Sequence, residues 1–136
     1  MPQRKIPISL HCGLNLVREV VGGKWKIGLL YLISEGVRRP YQLQQQLPGA
    51  ARRVLYAQLR ELETHELVTK TVFAELPPRV EYYLTASGES FLPLIAALGE
   101  WGEAHKEQLH RVLGLVPEPD PAVTYTRHEM GCASIM

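Results

Sequence analysis

One predicted helix near the middle of the chain carries two arginines on the side opposite its leucines. In residues 51–65, three leucines recur at i, i+4 and i+7, which is the spacing of a buried helical stripe: Leu55, Leu59 and Leu62. At about 100° per residue, the opposite side presents four other residues: Arg53, Ala57, Arg60 and Thr64. Two long cations beside a methyl-sized gap suit a solvent-exposed surface that enters a groove better than a surface that packs in a core.

Two β-rich segments follow this helix. The runs LVTKTVFAE and VEYYLT are rich in β-branched and aromatic residues, and LPPR lies between them. We therefore predict strands over 67–76 and 79–84, joined by a proline turn to which Arg79 gives a positive charge. A helix that presents arginines, followed by a basic hairpin, is typical of a winged helix-turn-helix domain that binds duplex DNA.

Apolar periodicity and the positions of glycine and proline predict the elements that hold this helix in place. Gly22 and Gly23 separate the first two helices, and Pro40 suits the first turn of the third helix. The predicted helices cover 12–21, 24–34, 40–47, 51–65 and 86–112. The expected fold is therefore mainly α with a small β-hairpin wing: a winged helix-turn-helix with a long C-terminal dimerisation helix.

The last predicted helix has more apolar surface than a small module can cover. Thr85 suits its N-cap, and its apolar residues form a broad stripe: Phe91, Leu94, Ile95, Leu98, Trp101 and Leu109. Pairing with a second copy of the chain would bury this stripe, so we expect a homodimer. The predicted organisation is an N-terminal arm at 1–11, a DNA-binding and dimerisation domain at 12–112 and a flexible, proline-containing C-terminal tail at 113–136.

Length and composition are those of one soluble globular domain. The chain has 136 residues, and no apolar run approaches the roughly 18 residues that span a bilayer. The N-terminus lacks a continuous apolar core, so we expect no secretory signal and no membrane partner. Two cysteines, Cys12 and Cys132, lie far apart and do not form a disulfide framework. We therefore expect a reducing, cytoplasmic environment.

The small net charge of +1 hides an asymmetry between the two parts of the chain. Residues 1–85 contain 12 Lys/Arg and 7 Asp/Glu, whereas residues 86–136 contain 3 Lys/Arg and 7 Asp/Glu. The positive part includes the predicted helix-turn-helix and hairpin. This distribution favours contact with phosphate through the first part only.

At this point the sequence resembles the HxlR-type family of winged helix-turn-helix transcription regulators, over about residues 12–101. The matching pieces are Cys12, GGKW at 22–25, LLYLI at 29–33, LPG at 47–49, LYAQLRELE at 55–63, ELPPRVEYYLT at 75–85, Gly88 and Trp101. The resemblance implies a homodimeric repressor or activator whose N-terminal and C-terminal helices form the dimer contact. One departure is Ala51, which stands where the family usually has a serine and removes an N-cap oxygen.

The candidate DNA-binding residues lie on the predicted recognition helix and at the tip of the wing. Arg53 and Arg60 would contact base edges or phosphates; the alternative is a solvated face on which Arg60 pairs with Glu63. Ala57 would admit a thymine methyl group or allow close approach. Arg52 and Tyr56 would meet phosphates.

Three further cations have less distinctive positions. Arg79 would lie against the adjacent minor groove or the backbone, or else be a turn residue without a partner. Lys24 and Lys26 begin the second helix, where phosphate contact and a solvated face are both open.

Two roles are open for Cys12. Some members of the resembled family sense electrophiles or oxidants through a cysteine at this position, which requires an exposed thiolate near positive charge or a helix N-terminus. The alternative is a thiol packed at the dimer contact. Regulation would come from chemistry at Cys12 or from an unknown small ligand that changes the relative angle of the two recognition helices.

Other classes of function find little support in the sequence. His105 and His110 are five residues apart, about 140° around a helix, so they do not share a metal-ligand face. No Ser/His/Asp or Cys/His arrangement and no phosphate-binding glycine loop is present. We predict no metal, no cofactor and no enzymatic activity; the rival hypothesis is a winged-helix module used for protein–protein assembly.

Overall fold

A computed structural model of the chain describes residues 11–115. The elements in this range are α1 (Gly13–Val21), α2 (Lys26–Ser34), α3 (Pro40–Gln46), α4 (Arg52–Thr64), β1 (Val68–Phe73), β2 (Arg79–Leu84), α5 (Ala86–Ser90), α6 (Leu92–Ala104) and α7 (Lys106–Leu113). The predicted fold, mainly α with a two-stranded wing, is confirmed. The chain forms two compact units, one up to Gly88 and one from Glu89. Within the described range, no helix has both the length and the apolar character needed to cross a membrane.

The core of the first unit is built on α2 and on one face of α4. The three leucines predicted to be inward on α4 are completely buried, which confirms the periodicity argument: Leu55, Leu59 and Leu62. Four residues of α2 are equally buried: Leu29, Leu30, Leu32 and Ile33. The nearly continuous apolar run of α2 makes it the central helix of this unit. Each such side chain contributes about 1.5–3 kcal/mol when it leaves water, so this contact fixes α4 firmly.

The wing is a regular antiparallel hairpin. Its register runs from Val68 opposite Leu84 to Phe73 opposite Arg79. The prediction that the first strand extends to residue 76 was wrong, because β1 ends at Phe73, where the N–H of Glu75 turns back to donate to the Phe73 carbonyl oxygen at 2.8 Å. The prolines that follow have no N–H group to donate to a ladder.

A tight junction links the wing to the helix that follows it. Thr85 caps α5 as predicted, because its hydroxyl accepts a hydrogen bond from the Gly88 N–H at 3.0 Å. The same hydroxyl donates to the Glu66 carbonyl oxygen at 2.6 Å. A Cβ atom at Gly88 would overlap the Leu67 carbonyl oxygen, so only glycine fits this approach.

The prediction of one continuous helix over 86–112 was wrong, because the segment is divided at Phe91 and at His105. Pro93 accounts for the first break, since it cannot donate a backbone hydrogen bond and its ring excludes the preceding helical turn. At the second break, the imidazole of His105 stacks on Trp101 with centroids 4.2 Å apart. Its Nδ1 lies 2.8 Å from the Trp101 carbonyl oxygen, to which the His105 backbone N–H also donates.

Candidate nucleic-acid interface

The outward face of α4 is exposed as the sequence predicts. All four of its predicted residues are accessible to solvent: Arg53, Ala57, Arg60 and Thr64. Within residues 11–115, neither arginine has a carboxylate within ion-pair distance, so the alternative pair between Arg60 and Glu63 does not form. Both guanidinium groups therefore keep their full charge and hydrogen-bonding capacity for an external partner.

The first turn of α4 also presents unpaired donors. Ala51 occupies the N-cap and makes no side-chain cap, so the first N–H groups of the helix have no protein acceptor from this residue. Such N–H groups, at the positive end of the helix dipole, suit a phosphate. Arg52 lies over the ring of Tyr56 at 5.5 Å, which places these two residues side by side at the same end of the helix.

One flank of α4, formed by Gln58 and Glu61, is attached to the start of α2; we call it the anchored flank. The backbone N–H of Trp25 donates to Gln58 Oε1 at 2.9 Å. The ammonium group of Lys26 lies 2.8 Å from Glu61 Oε2. Lys26 is only 4% exposed, so both sequence-based interpretations of this residue, phosphate contact and solvated face, were wrong. Its neighbour Lys24 is exposed and lies over the Trp25 ring at 5.1 Å.

The other flank of α4 is open. It faces a cleft of about 340 Å³ between α3, α4 and the wing, which we call the wing cleft. Its lining residues are Arg39, Pro40, Tyr41, Tyr56, Arg60, Glu63, Lys70, Pro78, Val80 and Tyr82. Three cations and one carboxylate leave an excess of positive charge in this cleft. We call Tyr56, Arg60 and Glu63 the cleft flank of α4.

Tyr82 is the most deeply buried aromatic residue of the wing cleft. Burial raises the pKa of Tyr82 above its ordinary value of 10.0, and the nearby Glu63 and Tyr56 act in the same direction, whereas Arg60 opposes them. The phenol is therefore protonated at neutral pH and can donate a hydrogen bond.

Arg38, which sequence reasoning missed, fixes the wing to the loop between α2 and α3. The Tyr82 N–H donates to the Arg38 carbonyl oxygen at 2.8 Å, and the Arg38 guanidinium donates to the Tyr82 carbonyl oxygen at 3.4 Å. The guanidinium also lies over the Tyr83 ring at 4.3 Å. No local sequence signal indicates this role, because the two contacting residues lie 44 positions apart in the sequence.

The structure places Arg79 at the first position of β2, where two carboxylates compensate its charge. Its Nε lies 3.1 Å from a carboxylate oxygen of Glu81, and its Nη1 lies 3.4 Å from one of Glu75. Its guanidinium also lies over the Phe73 ring at 4.1 Å. Leu76, which is 98% exposed, projects from the turn instead.

Cys12 is half-buried at the N-cap of α1 and is a free thiol. Its side chain makes no capping hydrogen bond. Cys132 lies outside the described residues. Across the part of the chain that the structure describes, no group of three or more His, Cys, Asp or Glu side chains is placed to hold a metal ion.

Comparison with known protein sequences gives a clear family match. The model of the HxlR-like helix-turn-helix family matches residues 20–110. YkvN of Bacillus subtilis (strain 168), named an uncharacterized HTH-type transcriptional regulator, is 39% identical over 100 residues, which cover 74% of this chain and 85% of YkvN.

Solved structures give a similar result. The redox regulator HypR in its oxidised form is 38% identical, with a TM-score of 0.65 over 68% of this chain and 96% of HypR. HypR in its reduced form gives a TM-score of 0.70 at 35% identity, over 74% of this chain and 99% of that structure. At this level of likeness, the backbone of HypR is a direct guide to the fold of this chain.

Proposed function

Because the chain belongs to the HxlR-like helix-turn-helix family, we propose that it is a sequence-specific, DNA-binding transcription regulator. It acts as a homodimer on a near-palindromic operator, and repression is the expected outcome of binding. The observation that carries this proposal is the outward face of α4, where Arg53 and Arg60 are exposed without an ion-pair partner among residues 11–115.

In this proposal α4 enters the major groove. A guanidinium group that binds guanine through two hydrogen bonds contributes about 1–3 kcal/mol of discrimination against other bases. Ala57 lies on the same face and leaves room for close approach or for a thymine methyl group. Arg52 and Tyr56 contact the DNA backbone and set the position of the helix without selecting sequence, and Arg79 lies against the adjacent minor groove or the backbone.

The homodimer is supported by the large apolar side chains that each unit leaves exposed. In the first unit, Leu14 of α1 is 78% exposed, and in the second, Trp101 of α6 is 55% exposed. A second copy of the chain would cover such side chains. To reach successive major grooves, the two α4 helices of such a dimer would have to lie about 34 Å apart, which is one turn of B-form DNA.

The test compares specific with nonspecific binding. Arg53→Ala should weaken binding to a fragment selected from the source genome by at least tenfold, with a much smaller loss on random duplex, because a base contact is lost. Arg111→Ala, an exposed arginine of α7, is the matched control. Equal losses on both DNAs would make Arg53 a phosphate contact. No salt-dependent affinity for any duplex would favour the protein-assembly module instead.

Control by oxidants would act through Cys12, in line with the likeness to the redox regulator HypR. Cys12→Ser should keep full DNA binding and lose any response to diamide. A variant that still responds to diamide would leave Cys12 as a packed thiol and direct attention to a small-molecule effector.

A further inference from the structure

We infer that the wing cleft holds the sugar–phosphate backbone of one DNA strand, with Arg39 and Lys70 as its phosphate ligands. The inference deepens the proposed function and rests on it. Neither residue was among those that the sequence singled out as DNA-binding. Both lie in the first unit, and they come from different elements: Arg39 precedes α3, and Lys70 lies in β1.

The wing cleft brings together the cations of Arg39, Arg60 and Lys70 with a single carboxylate, that of Glu63. Among the residues that the structure describes, neither Arg39 nor Lys70 has a carboxylate within ion-pair distance. Cations left unpaired in a cleft create a local positive potential, and a polyanion is the partner that such a potential favours.

Contacts within the protein position both Arg39 and Lys70 before a ligand arrives. The guanidinium of Arg39 lies over the Tyr41 ring at 5.1 Å, which limits the conformations it can adopt before a ligand arrives. Lys70 is paired with Tyr82 across the ladder, so both side chains project from the same face of the wing. Two hydrogen bonds between Arg38 and Tyr82, one from the Tyr82 backbone N–H and one from the Arg38 guanidinium, hold that face in position.

The wing cleft lies beside the outward face of α4. Arg60 belongs both to that face and to the lining of the wing cleft. Tyr56, Arg60 and Glu63 follow one another at i, i+4 and i+7, so the cleft runs alongside the helix. This position beside the outward face suits the wing cleft to one phosphate strand of a duplex whose major groove accepts that face.

Arg79 differs from Arg39 and Lys70 because its charge is already compensated within the protein. Arg79 is already engaged by Glu75 and Glu81, and binding a phosphate would require it to give up those partners. Among residues 11–115, Lys70 and Arg39 have no such partner to give up. Their neutralisation should therefore cost more DNA affinity than neutralisation of Arg79.

The experiment measures the salt dependence of DNA binding for Arg39→Gln, Lys70→Gln and the control Arg111→Gln. Each cleft variant should weaken binding to the selected fragment and to random duplex by the same factor, about tenfold, because a phosphate contact carries no sequence information. Each should also reduce the slope of log K against log salt concentration by about 0.9. Arg79→Gln should change both quantities less, and Arg111→Gln should change neither.

Two results would overturn the inference while the proposed function stands. In the first, the wild type binds with a steep salt slope but both cleft variants keep that slope. In the second, the variants lose affinity for the selected fragment alone, which would make Arg39 and Lys70 base contacts. A wild type without salt-dependent binding overturns the proposed function itself. Because both side chains lie at the surface of the cleft, thermal unfolding of the variants should match the wild type, and a large decrease would also count against the inference.

Discussion

The two flanks of α4 are both polar, yet they differ in what their side chains contact. On the anchored flank, Gln58 and Glu61 are engaged by the backbone of Trp25 and by the buried ammonium of Lys26. On the cleft flank, Tyr56 and Arg60 line an open cleft and face cations of other elements. One polar flank is therefore held within the protein, and in our proposal the other, open flank is available to a ligand.

The largest expected effect comes from Lys26, the buried member of the anchored flank's ion pair. Lys26→Ala removes a buried aliphatic stem and the partner of Glu61, so the free energy of unfolding should fall by about 2–4 kcal/mol. The measurement is urea denaturation, with Lys24→Ala as the exposed neighbouring control, whose effect should stay within about 0.5 kcal/mol. Equal effects of the two variants would mean that the anchored flank does not hold α4.

A smaller effect is expected from Gln58. Gln58→Ala leaves the Trp25 N–H without its acceptor, so the free energy of unfolding should fall by about 1–2 kcal/mol. Gln45→Ala, at an exposed position of α3, serves as the control in the same denaturation series. A Gln58 variant as stable as this control would show that water replaces the amide oxygen as acceptor of the Trp25 N–H without lowering the free energy of unfolding.

The smallest expected effect is the pH dependence that comes from the cleft flank's neighbour Tyr82. Because the pKa of Tyr82 is raised in the folded protein, the folded state holds the phenolic proton more tightly than the unfolded chain does. Stability should therefore fall as pH rises above the ordinary tyrosine pKa of about 10, toward the higher pKa of the folded state.

Tyr82→Phe tests this pH dependence. The hydrogen bond from Tyr83 to Glu81 raises the pKa of Tyr83 as well, so the variant should show a weaker fall in stability at alkaline pH, but not a flat profile. The check is urea denaturation on either side of pH 10. A variant whose alkaline fall matches that of the wild type would show that Tyr82 does not contribute.

The sequence was sufficient for the faces of α4, because the spacing of Leu55, Leu59 and Leu62 fixes which side is buried. It was also sufficient for the hairpin and for the cap at Thr85, which depend on local residue types. These features share one property: the residues that determine them lie within a few positions of one another.

Features that depend on distant residues were not predicted. The burial of Lys26 requires a carboxylate at Glu61, and a lysine in a sequence is ordinarily expected to face solvent. The wing cleft forms only where α3, α4 and the wing lie next to one another, and the apolar periodicity of a sequence does not indicate which elements are neighbours. The helix break at Phe91 is different, because Pro93 is a local signal for it. The prediction of one continuous helix followed the long apolar stripe and not this proline.

The central claim is that the outward face of α4 and the wing cleft together bind duplex DNA. Its most direct measurement is a fluorescence titration of the wild-type chain with a labelled duplex over salt concentrations from about 50 to 200 mM. We predict an affinity that falls by orders of magnitude across this range. The slope of log K against log salt concentration should correspond to several released counterions. An affinity that does not change with salt concentration, or a failure to bind DNA at the lowest salt concentration, would contradict this claim.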